Sequence, residues 1–272
     1  MRAKIINKSK SVVKKIFRKK PARNNLTVLS DDIFLVSYPR SGNTWIRFLL
    51  GSIIYGSNVN WDTMEKYVPD IYRNSDKQLL WNSARPRVLK SHHSYDERYP
   101  KVIYIIRDVR NVFSSYYNYH LKMKGYTGSR EQFYKEFISG SLDDFGDWGL
   151  NVNSWVENQR NLDKGFYLLK YEELRTNTFG EIEKVLKFLS IKRSNKEINE
   201  SIQWASLGNM KKQEELFKDK VQLLNDSNKD ISFVGKGNIY PDINDNQNIL
   251  DKLEAHYSKT LKEHGYLRNI TE

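Results

Sequence analysis

Residues 31–45, DDIFLVSYPRSGNTW, constrain the fold more than any other stretch of the chain. Ile33, Phe34, Leu35 and Val36 form a short unbroken apolar run, which fits a strand buried on both faces. Strand pairing has to stop at Ser37-Tyr38-Pro39, because Pro39 lacks a backbone donor. Trp45-Ile46-Arg47-Phe48-Leu49-Leu50 then starts an apolar pattern suited to a helix. Between them lies Arg40-Ser41-Gly42-Asn43-Thr44. Strand, small polar turn and helix together make an anion cradle. Free amides at the helix start point at the anion, Gly42 lets the backbone approach closely, Ser41 and Thr44 add hydroxyl donors, and Arg40 adds a fixed charge. The same order also describes an ordinary joint of an α/β protein, and the residues alone leave both readings open. The nucleotide P-loop G-x-x-x-x-G-K-[ST] fits poorly, since there is one glycine and no Lys before the Thr.

Beyond this stretch, short apolar runs alternate with longer amphipathic segments, the pattern of a mainly parallel sheet with helices on its faces. Strands are expected at Ile33–Ser37, Arg87–Lys90, Val102–Ile106 and Phe166–Lys170. Helices are expected at Thr44–Tyr55, Val109–Leu121, Thr178–Leu189, Lys196–Ala205 and Asn248–Glu263. The expected fold is three-layer α/β/α around a central parallel sheet. Gly56–Pro86 and Lys122–Trp148 fit the sheet pattern poorly and read as irregular insertions rich in Tyr, Trp, Asn and Gly, where binding surfaces usually sit. A length of 272 residues suffices for one large core.

Two more stretches carry chemistry. Arg87-Val88-Leu89-Lys90 ends in Ser91-His92-His93, and strand C-termini form the crevice side of open α/β sheets. A His there can accept a proton from a hydroxyl; a surface His pair at a loop start is the plainer reading. Val102–Ile106 leads into Arg107-Asp108 and a helix carrying Ser115. Arg107 can clamp a phosphate, or pair with Asp108 as a detail of the helix start. Five His are scattered and Cys is absent, which leaves no thiolate metal site, no disulfide and no cysteine nucleophile.

These motifs share a resemblance. Tyr38-Pro39-Arg40-Ser41-Gly42-Asn43-Thr44-Trp45 resembles the YPKSGTTW loop of sulfotransferases that use 3′-phosphoadenosine 5′-phosphosulfate (PAPS), with Arg40 for a Lys and Asn43 for a Thr. Lys90-Ser91-His92 resembles the family's KTH motif, and Arg107 to Tyr117 its second signature, RNPKDVAVSYY, without a gap. The resemblance implies that Arg40 to Trp45 hold the 5′-phosphosulfate, with Trp45 stacking near the adenine and Arg40 stabilising the leaving phosphate. It implies His92 as base, Lys90 against the transferring sulfuryl group, and Arg107 and Ser115 on the 3′-phosphate. Tyr171, ending Leu168-Leu169-Lys170-Tyr171-Glu172, resembles the Tyr that reaches the adenine. Gly235-Lys236-Gly237 resembles the family's RKG loop, with Gly235 for its Arg, so Lys236 and Gly237 would close over the 3′-phosphate. The implied reaction moves a sulfuryl group from PAPS to a hydroxyl, or an amine, without a metal. A P-loop kinase of similar topology and a non-enzymatic adaptor on a membrane surface are the alternatives.

The acceptor is expected to be a small molecule, glycan or glycolipid, because Trp61, Tyr67, Tyr72, Trp81, Tyr126, Tyr134 and Trp148 crowd the insertions and aromatic faces suit rings. The net charge of +12 is unevenly placed: residues 1–23 hold ten Lys/Arg and no acid, which leaves +2 for the rest. The expected division is a basic tail over residues 1–25 and a sulfotransferase domain over 26–272. Ile5, Ile6, Val12, Val13, Ile16 and Phe17 recur at roughly helical spacing in the tail, so it reads either as a helix on an anionic membrane or as a solvated arm. Nucleic acid is a poor partner, since no stacking platform accompanies the charge. No run approaches a membrane span and no secretory h-region is present, so the expected location is cytoplasmic or peripheral at a membrane.

Overall fold

The computed structural model describes residues 26–72, 80, 83–221, 233–235, 237–238 and 246–267. Four strands form one sheet: β1 (Ile33–Ser37), β2 (Val88–Ser91), β3 (Val102–Ile106) and β4 (Phe166–Lys170). The order is β2-β1-β3-β4 and every pairing is parallel. Leu35 sits between Lys90 on one side and Ile103 on the other, so the three strands end at one crevice. Three strands match the sequence bounds. The second lies one residue later, although the Arg87 carbonyl still accepts from the Ile33 amide at 2.9 Å; the Arg87 side chain is held at this entry, its Nε donating to Asp32 Oδ1 at 2.7 Å and its Nη1 to the Leu80 carbonyl at 3.0 Å.

All five residues of β1 and of β3 are buried, as the continuous apolar runs require. Their side chains alternate between two cores. Leu35, Ile103 and Ile105 pack with α1 (Asn43–Tyr55) and α7 (Thr178–Leu189). Phe34, Val36, Tyr104 and Ile106 pack on the other face with α3 (Val109–Met123), α5 (Trp148–Asn158) and α10 (Gln247–His256). Helix, sheet and helix make the three layers.

The insertions differ from the expectation. Gly56–Pro86 contains the short helix α2 (Met64–Tyr67), and residues 69–71 pair with the edge of β2 through the Lys90 amide and the Pro69 carbonyl at 2.9 Å. Lys122–Trp148 contains α4 (Arg130–Ile138), capped by Ser129 and anchored by buried Phe133 and Phe137. Trp61 and Trp148 are core side chains, so the aromatic density there marks packing; Trp81 lies outside the described residues. Further α-helices among the described residues are α6 (Tyr171–Thr176), α8 (Asn195–Trp204), α9 (Leu207–Phe217) and α11 (Ser258–Glu263). The single helix expected at Asn248–Glu263 is two, broken at Tyr257, whose hydroxyl reaches Asp147 at 2.5 Å. Among the described residues, no helix is long and apolar enough to cross a membrane.

Candidate active site

A cavity of about 620 Å³ opens where β1, β2 and β3 end. Its floor is the Arg40–Trp45 turn. Gly42 takes φ +93, and a Cβ there would lie 2.5 Å from the Tyr171 ring, so both backbone angle and space require glycine. Helix α1 starts at Asn43, and the Ile46 amide is the first to close on the turn, at the Gly42 carbonyl (3.2 Å). The amides of Asn43, Thr44 and Trp45 therefore have no partner from the helix itself. Ser41 Oγ is buried without a hydrogen-bond partner. An unsatisfied buried hydroxyl beside free helix amides is what an anion would complete. Thr44 lines the cavity too. The Asn43 side chain instead turns under the loop, donating to Ser37 Oγ at 3.1 Å.

Arg40 holds a left-handed φ of 67, a strained angle for a side-chain-bearing residue. Its Nε donates to Ser115 Oγ at 3.2 Å, and its guanidinium lies 5.1 Å from both the Tyr119 and Phe233 ring centroids. Burial pushes its pKa down to about 10, with neighbouring Arg107 acting in the same direction and Tyr119 against it. It stays charged at neutral pH. Arg107, at the end of β3, donates to the Arg40 carbonyl at 3.1 Å and to the Asn238 carbonyl at 2.8 Å, while its Nε is buried and unpartnered. It does not pair with Asp108. That carboxylate accepts from the Arg110 amide at 2.9 Å, capping α3, and from the Arg110 guanidinium. Arg107 is therefore free to face the cavity, stacked 4.2 Å from the centroid of Tyr171. Tyr171 also meets the Trp45 ring edge-on at 5.7 Å.

The other end of the cavity holds His92. Its Nδ1 lies 2.6 Å from the Ser37 carbonyl, and a carbonyl only accepts, so Nδ1 carries the proton and Nε2 the lone pair. Burial, then the Lys90 charge, hold its pKa well below 6.5. The result is a neutral imidazole oriented as a base. His92 lines the cavity, and His93 is not among the residues that do. The His93 carbonyl accepts from Trp155 Nε1 at 2.8 Å, which fixes this turn to α5. Lys90 Nζ lies 2.6 Å from Asp70 Oδ2, and that ammonium holds the buried Asp70 carboxyl well below the usual range, ahead of Arg47, against the cost of burial.

The structure thus brings Arg40, Gly42, Asn43, Thr44, Trp45, Lys90, His92, Arg107, Ser115, Tyr171 and Gly237 to one cavity, while Ser41 is buried in the same turn and does not line it. Lys236 lies outside the described residues. Asp70, Tyr72, Asp143 and Arg175 line the same cavity; of these, only Tyr72 is expected from the sequence, as an acceptor-side aromatic. Arg175 had a sequence signal, since it stands four residues after Tyr171 and so shares its helix face. Asp70 had none, because it reaches Lys90 only through pairing of an irregular segment with the sheet edge. Among the described residues, no three His, Asp or Glu cluster as metal ligands.

The family model for the sulfotransferase domain matches residues 30–264. The chain belongs to the sulfotransferase family. It is 32% identical over 177 residues to sulfotransferase 1 family member D1 of Mus musculus, covering 58% of this chain and 59% of that protein. It is 26% identical over 203 residues to the amine sulfotransferase of Oryctolagus cuniculus, covering 69% and 65%. These matches span under two thirds of the relatives' own lengths. The fold is shared with the crystal structure of mouse sulfotransferase SULT7A1 complexed with PAP (TM-score 0.67, 21% identity, 88% of this chain and 87% of that one). It is shared too with retinol dehydratase in complex with androsterone and PAP (TM-score 0.72, 17% identity, 91% and 85%).

Proposed function

We propose that this sulfotransferase-family chain moves a sulfuryl group from PAPS to a hydroxyl of an acceptor, leaving adenosine 3′,5′-bisphosphate. The observation that carries the reading is His92. Its neutral imidazole is locked by the Ser37 carbonyl with Nε2 as the lone-pair nitrogen, beside a glycine-bearing turn whose buried Ser41 hydroxyl lacks a partner. Unpaired buried donors at Ser41 and Arg107 fit an anionic cofactor, and the PAP bound to mouse SULT7A1 agrees with that choice.

When bound, PAPS supplies an activated sulfuryl group on a phosphate leaving group. His92 Nε2 takes the acceptor's hydroxyl proton as the oxygen attacks. Lys90, held by Asp70, offers its ammonium to the sulfuryl oxygens. Arg40 and the amides opening α1 take up charge on the leaving phosphate. Arg107, Ser115, Gly237 and Lys236 hold the 3′-phosphate, while Trp45 and Tyr171 flank the adenine. Positioning and fixed charge do the catalytic work, with no metal. The domain is proposed to span 26–272, with the basic segment 1–25 outside it, in a cytoplasmic protein.

For the acceptor we propose a glycan or glycolipid sugar. Of the aromatic residues read from the insertions, Tyr72 lines the cavity, 5.1 Å from the Phe145 ring, and Asp143 stands beside them. Burial pushes the Asp143 carboxyl up to about 6. Aromatic faces with a carboxylate suit a polyhydroxylated ring. The test is a labelled-PAPS transfer screen across sugars, phenols, amines and lipids. Label appearing on a sugar hydroxyl supports the reading. Label confined to phenols or amines overturns the acceptor class, and transfer from ATP·Mg²⁺ with none from PAPS overturns the reaction.

A further inference from the structure

Arg175 projects from α6 into the nucleotide end of the cavity with no assigned task. Its Nε is buried and has no hydrogen-bond partner. Among the described residues it forms no ion pair. Its guanidinium lies 5.2 Å from the Trp45 ring centroid. It also approaches Gly237: a Cβ there would stand 3.6 Å from Arg175 Nη2 and 3.6 Å from the Tyr171 hydroxyl. These are van der Waals distances, so the guanidinium and the Tyr171 hydroxyl lie directly against Gly237, whose φ of +69 favours glycine.

Arg107 reaches the next residue, Asn238, from the end of β3. It stacks on the Tyr171 face and donates to the Asn238 carbonyl at 2.8 Å. The two guanidiniums thus meet adjacent residues, Arg175 at Gly237 and Arg107 at Asn238. Of the other cations lining the cavity, Arg47 donates to Glu65 and to the Val68 carbonyl. Lys90 is held by Asp70, and Arg40 is turned to Ser115 and the Phe233 carbonyl at 3.4 Å. A terminal phosphate carries a charge of about −1.5 to −2 near neutral pH, more than one guanidinium balances. Position 235, beside this site, is a glycine and supplies no charge.

We propose that Arg175 is a nucleotide-binding residue that completes, with Arg107, the cationic clamp on the cofactor's 3′-phosphate. This rests on the PAPS reading above. The clamp spans the short helix after β4 and the end of β3, so the charge missing at Gly235 comes from a different element. Arg175 sets the preference for a 3′-phosphorylated nucleotide and leaves the chemical step to His92.

Calorimetry on the full chain tests this with adenosine 3′,5′-bisphosphate and AMP, which differ in the 3′-phosphate. The wild type should prefer the bisphosphate. Arg175→Ala should weaken bisphosphate binding roughly 10- to 150-fold, the worth of a charge-assisted contact, and leave AMP binding within about twofold. Retained AMP binding also shows that the variant folds. Arg175→Lys should recover part of the loss, since it restores the charge without the fork. A wild-type preference that survives Arg175→Ala overturns this assignment alone. Equal loss for both nucleotides also overturns it, by moving Arg175 to the base or ribose. A wild type that binds the two nucleotides equally overturns the PAPS reading itself.

Discussion

The Ser37 carbonyl can only accept, so His92 keeps its proton on Nδ1 and its lone pair on Nε2. His92→Ala should lower single-turnover transfer by about 10²–10⁴, the usual worth of a general base, with nucleotide affinity nearly unchanged. His93→Ala should matter far less, because successive residues leaving a strand point to opposite sides and His93 does not line the cavity. The opposite ranking of the two variants would move the base by one residue. The pH dependence follows from the same environment. Burial and Lys90 hold the folded pKa of His92 well below the unfolded value, so the unfolded chain binds the extra proton. Stability is complete above the unfolded value and falls as pH drops below about 6.5. The base stays available in the same range, so turnover at pH about 6 should keep its neutral value, where an exposed imidazole would be largely protonated. A stability profile from pH about 8 to 5 that is equally steep in wild type and His92→Ala would show that another group sets it.

At the scale of the elements, β1 and β2 are tied at their entry by Asp32 and Arg87, exposed to 0% and 1%. Arg87 also satisfies the Thr27 and Leu80 carbonyls, so the pair fastens the chain's approach to β1 and the segment before β2. Removing one member leaves a buried charge alone. Asp32→Ala should cost about 3–5 kcal/mol in urea unfolding, and a loss below about 1 kcal/mol would show that water reaches Arg87. This pair also shows what the sequence hides. The apolar runs of β1, β3 and β4 are local, and their bounds are readable from side-chain type alone. The task of the Arg87 side chain is not legible until its partner, 55 positions away, is known. The Arg40–Trp45 turn was legible because strand, glycine and helix start are consecutive. Asp70 was not, because its contact with Lys90 depends on an irregular segment docking at the sheet edge. Trp61 and Trp148 misled for a related reason: an aromatic residue in an insertion looks the same whether it faces a ligand or a core, and these two face the core.

At the scale of the whole molecule, charge is segregated. Residues 1–23, outside the described part, carry ten Lys/Arg and no acid, while the rest of the chain holds +2. A nearly neutral body has little long-range pull on an anionic surface, so attraction of that kind has to come through the tail. Near such a surface each Lys or Arg is worth about 1 kcal/mol, and ten of them outweigh the entropy of confining a short segment even when only part engage. The interspersed Ile5, Ile6, Val12, Val13, Ile16 and Phe17 would add buried apolar area if the segment lies in the interface. The full chain should therefore co-sediment with vesicles containing phosphatidylserine, bind neutral vesicles weakly, and release as salt rises and shortens the Debye length to about 3 Å near 1 M. A chain starting at Asn24 should lose the binding and keep its nucleotide affinity. Equal sedimentation of both would place the membrane contact on the body, and sedimentation that resists salt would make it apolar rather than electrostatic.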